Sequence, residues 1–369
     1  MTTAVSRITP CPPGFSDHVY KVAHGVEVPL RVWPAKGRDK APWLFWIHGG
    51  PGKGRLVWGP VGVKSGFIAG KHVVPNAWVV PAFQQYGYHV ISIAYRFIPH
   101  VGLADIVQDC VDALAWCRAN LPSLLGESAV DLDRYVVAGD SAGGTLSTIC
   151  GFKFEPKPKA VIDVFGVVDL LDPHFYTAQS AEKAAMWGKY HRAREDTELA
   201  RICGERDPSK AEVICPWDWE LPPNMSTEDL RVFWGTPEFT PGEKDLLRMD
   251  LMKYTGKVAN KFNILLRKEE LSPDLFDQKR KEWSPYWVVD ERKTYPPTFF
   301  LHGTADSAVP VEQSYRFAEK LKRLGIPTGE AYCPDGEHCF ENKIERPEDE
   351  GWNEYIVPCM EFVDRHVRG

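Results

Sequence analysis

The chain has 369 residues, of which 44% are hydrophobic and 25% charged, and its formal net charge is −6. This composition is typical of a globular protein large enough for one α/β domain with an inserted subdomain. Charges of both signs are spread along the chain, which argues against a nucleic-acid-binding surface and favours a small-molecule partner.

The first 50 residues predict the beginning of a sheet. Two extended runs, "DHVYKV" at 17–22 and "VEVPLRVWP" at 26–34, are separated by a glycine and predict an antiparallel pair. The compact apolar run "WLFWI" at 43–47 predicts a buried central strand, and it ends at the glycine-rich stretch "HGGPGKG".

Strands and helices then alternate along the chain. "YHVISIAY" at 88–95 predicts a buried strand, and the segment 103–121 has apolar residues at the spacing of a one-sided helix. The same alternation recurs in 135–166 and in 298–334. It predicts an α/β fold with a doubly wound, mostly parallel sheet, whose ligands bind at the carboxyl ends of the strands.

The segment 170–295 lacks strong strand signals and is rich in charged residues and tryptophan. A structureless loop of this length inside a compact domain is improbable, so we predict an inserted helical cap over 170–295 and a catalytic domain formed by 1–169 and 296–369. The tryptophans either fill the core of this cap or line an apolar substrate pocket. They are Trp187, Trp217, Trp219, Trp234 and Trp283.

The stretch "YVVAGDSAGG" at 135–144 places Ser141 between Gly139 and Gly143, directly after a run of β-branched residues. Where a strand turns abruptly into a helix, the residue at the apex adopts a strained backbone and its neighbours must be small. The pattern therefore predicts a nucleophile elbow, although a glycine-rich turn before an ordinary helix gives the same local sequence.

A serine nucleophile needs a base and an acid that orients the base. Asp306 follows the predicted strand "TFFLHG", and His338 follows the predicted strand "EAYCP", so both lie just past the carboxyl end of a strand, as Ser141 does. We predict a catalytic triad of Ser141, Asp306 and His338. Asp335 is a rival acid, and His302 a rival base that fits a structural turn better.

The oxyanion of an acyl-transfer intermediate needs hydrogen-bond donors, and backbone N–H groups provide them in a fixed geometry. Ala142, directly after the nucleophile, predicts one donor. The "HGG" turn at 48–50 predicts the other, so Gly49, Gly50 and Ala142 are the expected oxyanion-hole residues.

These motifs resemble those of the hormone-sensitive-lipase-like branch of the α/β-hydrolase fold. The resemblance covers roughly 43–165 and 296–345 and includes "HGG", "YRFIP", "LDRYVVAGDSAGGTLS", "PPTFFLHGTADSAVPVEQSYRFAEKLKRLG" and "GEHCF". It implies that Ser141, Asp306 and His338 are the nucleophile, acid and base, and that the protein is a carboxylesterase. Members of this family also include arylformamidases and a few lyases and cyclases.

Three features depart from the family pattern. The usual third glycine is replaced by Pro51, which has no N–H to donate. "HGGPG" also resembles the loop of proline iminopeptidases, which lack the "DSAGG" elbow. The interval between Ser141 and Asp306 is longer than the framework needs, so the substrate does not carry over from the family.

We therefore expect a serine hydrolase that cleaves a small carboxylic ester with an apolar acyl group and needs no cofactor or metal. An amide-type hydrolase, such as an arylformamidase or aminopeptidase, is one alternative. A binding module, or a cyclase or lyase on the same fold, is another.

Localisation and redox state follow from simpler features. The N-terminus lacks the apolar centre of a signal peptide, and no run approaches the roughly 20 apolar residues of a membrane span, so we expect a cytoplasmic protein. Nine cysteines without a C-x-x-C pair predict reduced thiols rather than disulfides or structural zinc.

Overall fold

A computed structural model describes residues 11–37, 40–50, 66–70, 75–178, 194–214 and 243–369, and every structural statement below concerns these residues. Eight strands form one sheet in the spatial order β1-β2-β4-β3-β5-β6-β7-β8. In chain order they are β1 (Ser16–Ala23), β2 (Val26–Trp33), β3 (Ala41–Ile47), β4 (His89–Ile93), β5 (Val130–Asp140), β6 (Ala160–Val164), β7 (Thr298–Gly303) and β8 (Thr328–Cys333).

The sheet is mostly parallel. Strand β2 pairs antiparallel with both β1 and β4, and every pair from β4 to β8 is parallel. All residues of β3 are buried, as expected for a central strand that is covered on both faces. The neighbours Phe45 and Trp46 belong to apolar clusters on opposite faces, because successive side chains of a strand alternate between faces.

Helices cover both faces and form the long insertion. Leu103, Ile106, Cys110 and Leu114 lie on the buried side of α2, which confirms the helical periodicity seen in the sequence. The helices are α1 (Val79–Gln85), α2 (Leu103–Leu125), α3 (Ala142–Lys153), α4 (Asp196–Cys203), α5 (Glu243–Val258), α6 (Lys261–Leu265), α7 (Pro273–Glu282), α8 (Pro285–Arg292), α9 (Glu312–Arg323) and α10 (Val357–Arg368).

The described parts of 170–295 hold helices α4 to α8 and short 3-10 turns, without a strand. Two arginines attach this segment to the loop after β4, since Arg248 donates to the Ile98 carbonyl and Arg267 to the Pro99 carbonyl. The predicted α/β fold, with a doubly wound and mostly parallel sheet and an inserted helical cap, is confirmed. The boundaries at 169/170 and 295/296 stay predictions.

Candidate active site

Ser141 lies at the sharp turn between β5 and α3, with φ 52° and ψ −113°. A positive φ is strained for a residue with a side chain, and such strain is typical of functional turns. The Ser141 N–H donates to the Val164 carbonyl on the neighbouring strand at 2.8 Å. This bond ties the apex of the turn to the carboxyl edge of the sheet.

The glycines beside Ser141 are required by close approach of the backbone. A Cβ atom added at Gly143 would lie 1.9 Å from the carbonyl oxygen of Ile47, and one added at Gly139 would lie 2.4 Å from the same oxygen. Strand β3 therefore passes the turn too closely for any side chain at either position. This is the steric condition that the sequence pattern predicts for a nucleophile elbow.

The structure brings Ser141, His338 and Asp306 together in one hydrogen-bonded chain. Oγ of Ser141 lies 3.1 Å from Nε2 of His338, and Nδ1 of His338 lies 2.6 Å from Oδ2 of Asp306. A carboxylate only accepts, so Nδ1 carries the proton and Nε2 accepts from the serine hydroxyl. This is the arrangement in which an imidazole serves as a base toward a serine.

The environment of Asp306 favours its charged form. Its Oδ1 accepts the N–H groups of Ala308 and Val309 at 2.8 and 2.9 Å. Burial alone would raise the pKa of Asp306, but His338 and His302 beside it hold this pKa well below its usual range. Burial likewise would lower the pKa of His338, but the charge of Asp306 raises this pKa above its ordinary value.

The two rival residues lie elsewhere in this arrangement. His302 is fully buried, and its Nε2 lies 3.2 Å from Oδ2 of Asp306, the same oxygen that Nδ1 of His338 approaches at 2.6 Å. Asp335 is exposed and its backbone N–H donates to Thr304 Oγ1. Asp335 therefore does not replace Asp306, and His302 does not replace His338, in the hydrogen-bonded chain that begins at Ser141.

One predicted oxyanion-hole donor is corrected by the structure. The N–H of Gly49 donates to Oδ1 of Asp140 at 2.9 Å, so this N–H is already engaged by a buried carboxylate. Gly50 and Ala142 stay predicted donors, with Ala142 at the first position of α3, where backbone N–H groups have no partner inside the helix. Pro51 lies outside the described residues.

A small cleft, partly open to solvent, lies beside Ser141, Ala142 and His338. Most of its other lining is apolar, and Lys261 contributes one cationic side chain. The lining includes Phe67, Val167, Phe175, Lys261, Phe262 and Val309. Of the tryptophans singled out in the sequence, Trp283 packs against the hydrophobic core instead, and the other four lie outside the described residues.

Several residues at this site were missed by the sequence analysis. Asp140 stands next to the nucleophile in the quoted motif, but nothing in that motif shows that its side chain reaches Gly49. Phe175, Lys261 and Phe262 lie in the segment predicted as the cap. Their chain positions have no periodicity or motif that marks them, so only the folded arrangement places them at the cleft.

Metal-binding clusters, disulfides and membrane-spanning helices are absent from the described part of the chain. No group of three or more His, Cys, Asp or Glu side chains there is arranged to hold a metal ion, and the described cysteines form no disulfide. None of the described helices is both long and apolar enough to span a bilayer.

The sheet order, the elbow and the crossing helices define a protein of the α/β-hydrolase fold. Residues 65–216 match a family model described as "alpha/beta hydrolase fold", and 249–359 match one described as "Prolyl oligopeptidase family". The two matches cover separate parts of the chain, and the first of them is to the α/β-hydrolase fold family. The resemblance to the hormone-sensitive-lipase-like branch is thereby confirmed.

One solved structure and two sequence relatives are similar to this chain. A thermophilic esterase of Thermogutta terrifontis is 21% identical with a TM-score of 0.52, and the match covers 96% of this chain and 92% of that one. A non-reducing polyketide synthase of Stachybotrys bisbyi is 27% identical over 94% of this chain. A 5-methylorsellinic acid synthase of Aspergillus terreus is 27% identical over 75% of it. The chain spans only 14% and 11% of the lengths of these two synthases.

Proposed function

We propose that this protein is a serine hydrolase that cleaves a small-molecule carboxylic ester through an acyl-enzyme. The observation that carries the proposal is the continuous hydrogen-bonded chain from Ser141 through His338 to Asp306. A serine hydroxyl is a poor nucleophile at neutral pH, and this arrangement is what activates it.

In the acylation step, Oγ of Ser141 attacks the carbonyl carbon of the ester while Nε2 of His338 takes the hydroxyl proton. The negative oxygen of the tetrahedral intermediate accepts hydrogen bonds from the N–H groups of Ala142 and Gly50. The imidazolium then gives its proton to the departing alcohol oxygen. Asp306 holds the ring in the tautomer that both transfers require.

Deacylation repeats these steps with water as the nucleophile. Nε2 of His338 takes a proton from water, the resulting hydroxide attacks the acyl carbon, and the proton returns to Oγ of Ser141 as the acid leaves. Every proton and electron pair is accounted for by the protein, the ester and water.

The names of the two similar synthases guide the choice of acyl group for the proposed substrate. One is named as a non-reducing polyketide synthase, and the other is named for the synthesis of 5-methylorsellinic acid, an aromatic acid. An aromatic polyketide acyl group held as an ester or thioester presents the same electrophilic carbonyl to Ser141. We therefore propose aromatic acyl esters and thioesters as the first substrates to test.

The experiment is labelling with a fluorophosphonate probe, which forms a covalent bond with an activated serine. We expect the wild type to be labelled, Ser141→Ala to lose labelling, and the exposed Ser209→Ala to keep it. Labelling that persists in Ser141→Ala would refute the assignment. Turnover of matched aryl esters, thioesters and anilides then separates ester hydrolysis from amide hydrolysis.

A further inference from the structure

The turn that follows β3 holds two consecutive peptide groups in fixed directions. The first of them joins His48 to Gly49. Its carbonyl oxygen accepts a hydrogen bond from the Tyr95 hydroxyl at 3.0 Å, and its N–H donates to Oδ1 of Asp140 at 2.9 Å. Both side chains are buried, so this peptide plane cannot rotate without breaking two buried hydrogen bonds, which is costly.

The second peptide group joins Gly49 to Gly50 and contains the N–H that we propose as an oxyanion donor. Its carbonyl oxygen lies 2.7 Å from Nδ1 of His48. A carbonyl only accepts, so Nδ1 carries the proton. The peptide is trans, and in a trans peptide the N–H and the carbonyl point in opposite directions. The Gly50 N–H therefore points away from the His48 ring, whose position sets its direction.

Tyr95 also holds the His48 ring. The two rings stack with their centroids 4.5 Å apart and an angle of 12° between their planes. Phe97 packs edge to face against both, with centroid distances of 6.0 Å to His48 and 5.7 Å to Tyr95. Tyr95 thus fixes the first peptide through its hydroxyl and the second through the ring of His48.

We propose that Tyr95 is a positioning residue for the oxyanion hole, which aims the Gly50 N–H at the oxygen that becomes negative during the reaction. A donor that is already aimed needs no reorientation as the charge develops, and this is the source of its effect on the rate. The inference rests on the proposed function, because it concerns the oxyanion of the same reaction.

The experiment compares two ketones as inhibitors, benzylacetone, which is a methyl ketone, and its trifluoromethyl ketone analogue. Oγ of Ser141 adds to the carbonyl carbon of the fluorinated ketone, its proton passes to Nε2 of His338, and the carbonyl oxygen becomes an alkoxide in the place of the oxyanion. Benzylacetone has the same frame but does not form a stable adduct. The measured quantity is the ratio of the inhibition constants, methyl to trifluoromethyl ketone, together with kcat/KM for p-nitrophenyl acetate.

The variant is Tyr95→Phe, which removes the hydroxyl and keeps the stacked ring. Tyr20→Phe is the matched control, because Tyr20 is also buried and its hydroxyl also donates to a backbone carbonyl, that of Ala94 at 2.8 Å. Neither Tyr20 nor Ala94 lines the cleft. His48→Phe is a second variant, which keeps a flat ring against Tyr95 and removes the Nδ1 donor. Urea denaturation checks that each variant is folded.

We expect Tyr95→Phe to lower the ratio and kcat/KM each by about tenfold, less than the roughly 10²-fold cost of losing a whole oxyanion donor. The inhibition constant of benzylacetone itself should hardly change. His48→Phe should lower the ratio similarly. Tyr20→Phe should keep both wild-type values, although it loses a hydrogen bond of the same kind and is less stable in urea.

A wild-type ratio in Tyr95→Phe, or an equal loss in Tyr95→Phe and Tyr20→Phe, overturns the inference, as does a wild type that binds both ketones equally well. If Tyr95→Phe does not fold, a wild-type ratio in His48→Phe overturns it instead.

The two proposals fail in different ways. If the wild type is not labelled at Ser141 by the fluorophosphonate and does not hydrolyse the ester, the proposed hydrolase function fails. If the wild type is labelled and active but the ratio does not depend on Tyr95, only the inference about the oxyanion hole fails.

Discussion

Asp306 accepts hydrogen bonds on both of its oxygens. The N–H groups of Ala308 and Val309 bond to Oδ1, while His338 and His302 both approach Oδ2, at 2.6 and 3.2 Å. The carboxylate cannot rotate without losing several of these bonds. The orientation of the His338 ring is therefore fixed by the hydrogen bonds that hold Asp306, and these bonds do not involve Ser141.

Replacing Asp306 by Asn tests the charge that acts on His338. Burial alone would lower the pKa of His338, and the Asp306 carboxylate raises it above its ordinary value, so a neutral amide at this position should lower it. Because Nε2 must be unprotonated to take the serine proton, the acid limb of the kcat/KM profile should move to lower pH in Asp306→Asn. The kcat itself should fall by about 10⁴-fold, since Asn also permits the wrong tautomer. A pH–rate profile measures both effects, and an acid limb at the wild-type pH would contradict the first.

His302 should act on catalysis through Asp306. Its Nε2 lies 2.9 Å from the Val309 carbonyl and 3.2 Å from Asp306 Oδ2, so it carries the proton, and its Nδ1 accepts from the Ser314 hydroxyl at 2.8 Å. His302→Leu removes this donor, and we expect kcat to fall by about 10- to 100-fold with little change in KM, as misplacement of a catalytic group does. His302→Gln, whose amide can still donate, should lose less. Steady-state kinetics that show a raised KM with unchanged kcat would argue against this role.

The turn at Ser141 requires residues without a side chain at the neighbouring positions. In Gly143→Ala the new Cβ would lie 1.9 Å from the Ile47 carbonyl oxygen, and the backbone of β3 or of the turn must shift. We expect a loss of about 3 kcal/mol or more in the free energy of unfolding, at or above the upper end of ordinary overpacking. Gly204→Ala is the control, because its Cβ would lie 3.2 Å from a single backbone oxygen and its φ is negative. Urea denaturation compares the two, and equal losses would contradict the steric account.

The sequence predicts the strands, and it also predicts that Ser141, His338 and Asp306 lie together. Both predictions have the same basis. Buried strands read as apolar runs, and in a parallel sheet the residues after each strand meet at one edge. The direction in which an individual N–H points cannot be predicted from the sequence in this way. The sequence predicts Gly49 as an oxyanion donor, but its N–H donates to Asp140. Only the folded turn shows which glycine N–H the neighbouring carboxylate accepts.

At the scale of the whole molecule, the framework was more predictable than the inserted segment. The residues at the cleft that come from this segment are Phe175, Lys261 and Phe262. They are brought together by tertiary packing between helix α6 and the 3-10 turn at Pro173–Tyr176. Arg248, which is fully buried, bonds to the Ile98 carbonyl and to Glu212. Such contacts between distant segments leave no periodic signal in the sequence.

The stability of the whole chain should depend on one carboxyl that the proposed mechanism does not use. Asp163 on β6 is fully buried, its Oδ1 accepts the Gly166 N–H at 2.7 Å, and its Oδ2 has no hydrogen-bond partner among the described residues. Burial raises the pKa of Asp163 to about 6, although the Gly166 N–H and His302 both act to lower it. The folded chain therefore holds this proton more tightly than the unfolded chain, where an Asp titrates near 3.9.

A folded-state pKa above the unfolded value means that stability is present at low pH and is lost as pH rises from about 4 through about 6. Asp163→Asn keeps the Oδ1 acceptor and does not titrate, so it lacks this loss, whatever constant cost its amide N–H groups bring. The unfolding free energy of Asp163→Asn minus that of the wild type should therefore increase by up to about 3 kcal/mol between pH 4 and pH 7. Urea denaturation at several pH values measures this difference, and the exposed Asp274→Asn should give a far smaller one. Parallel stability curves for Asp163→Asn and the wild type would mean that Asp163 titrates in the folded chain as it does in the unfolded one.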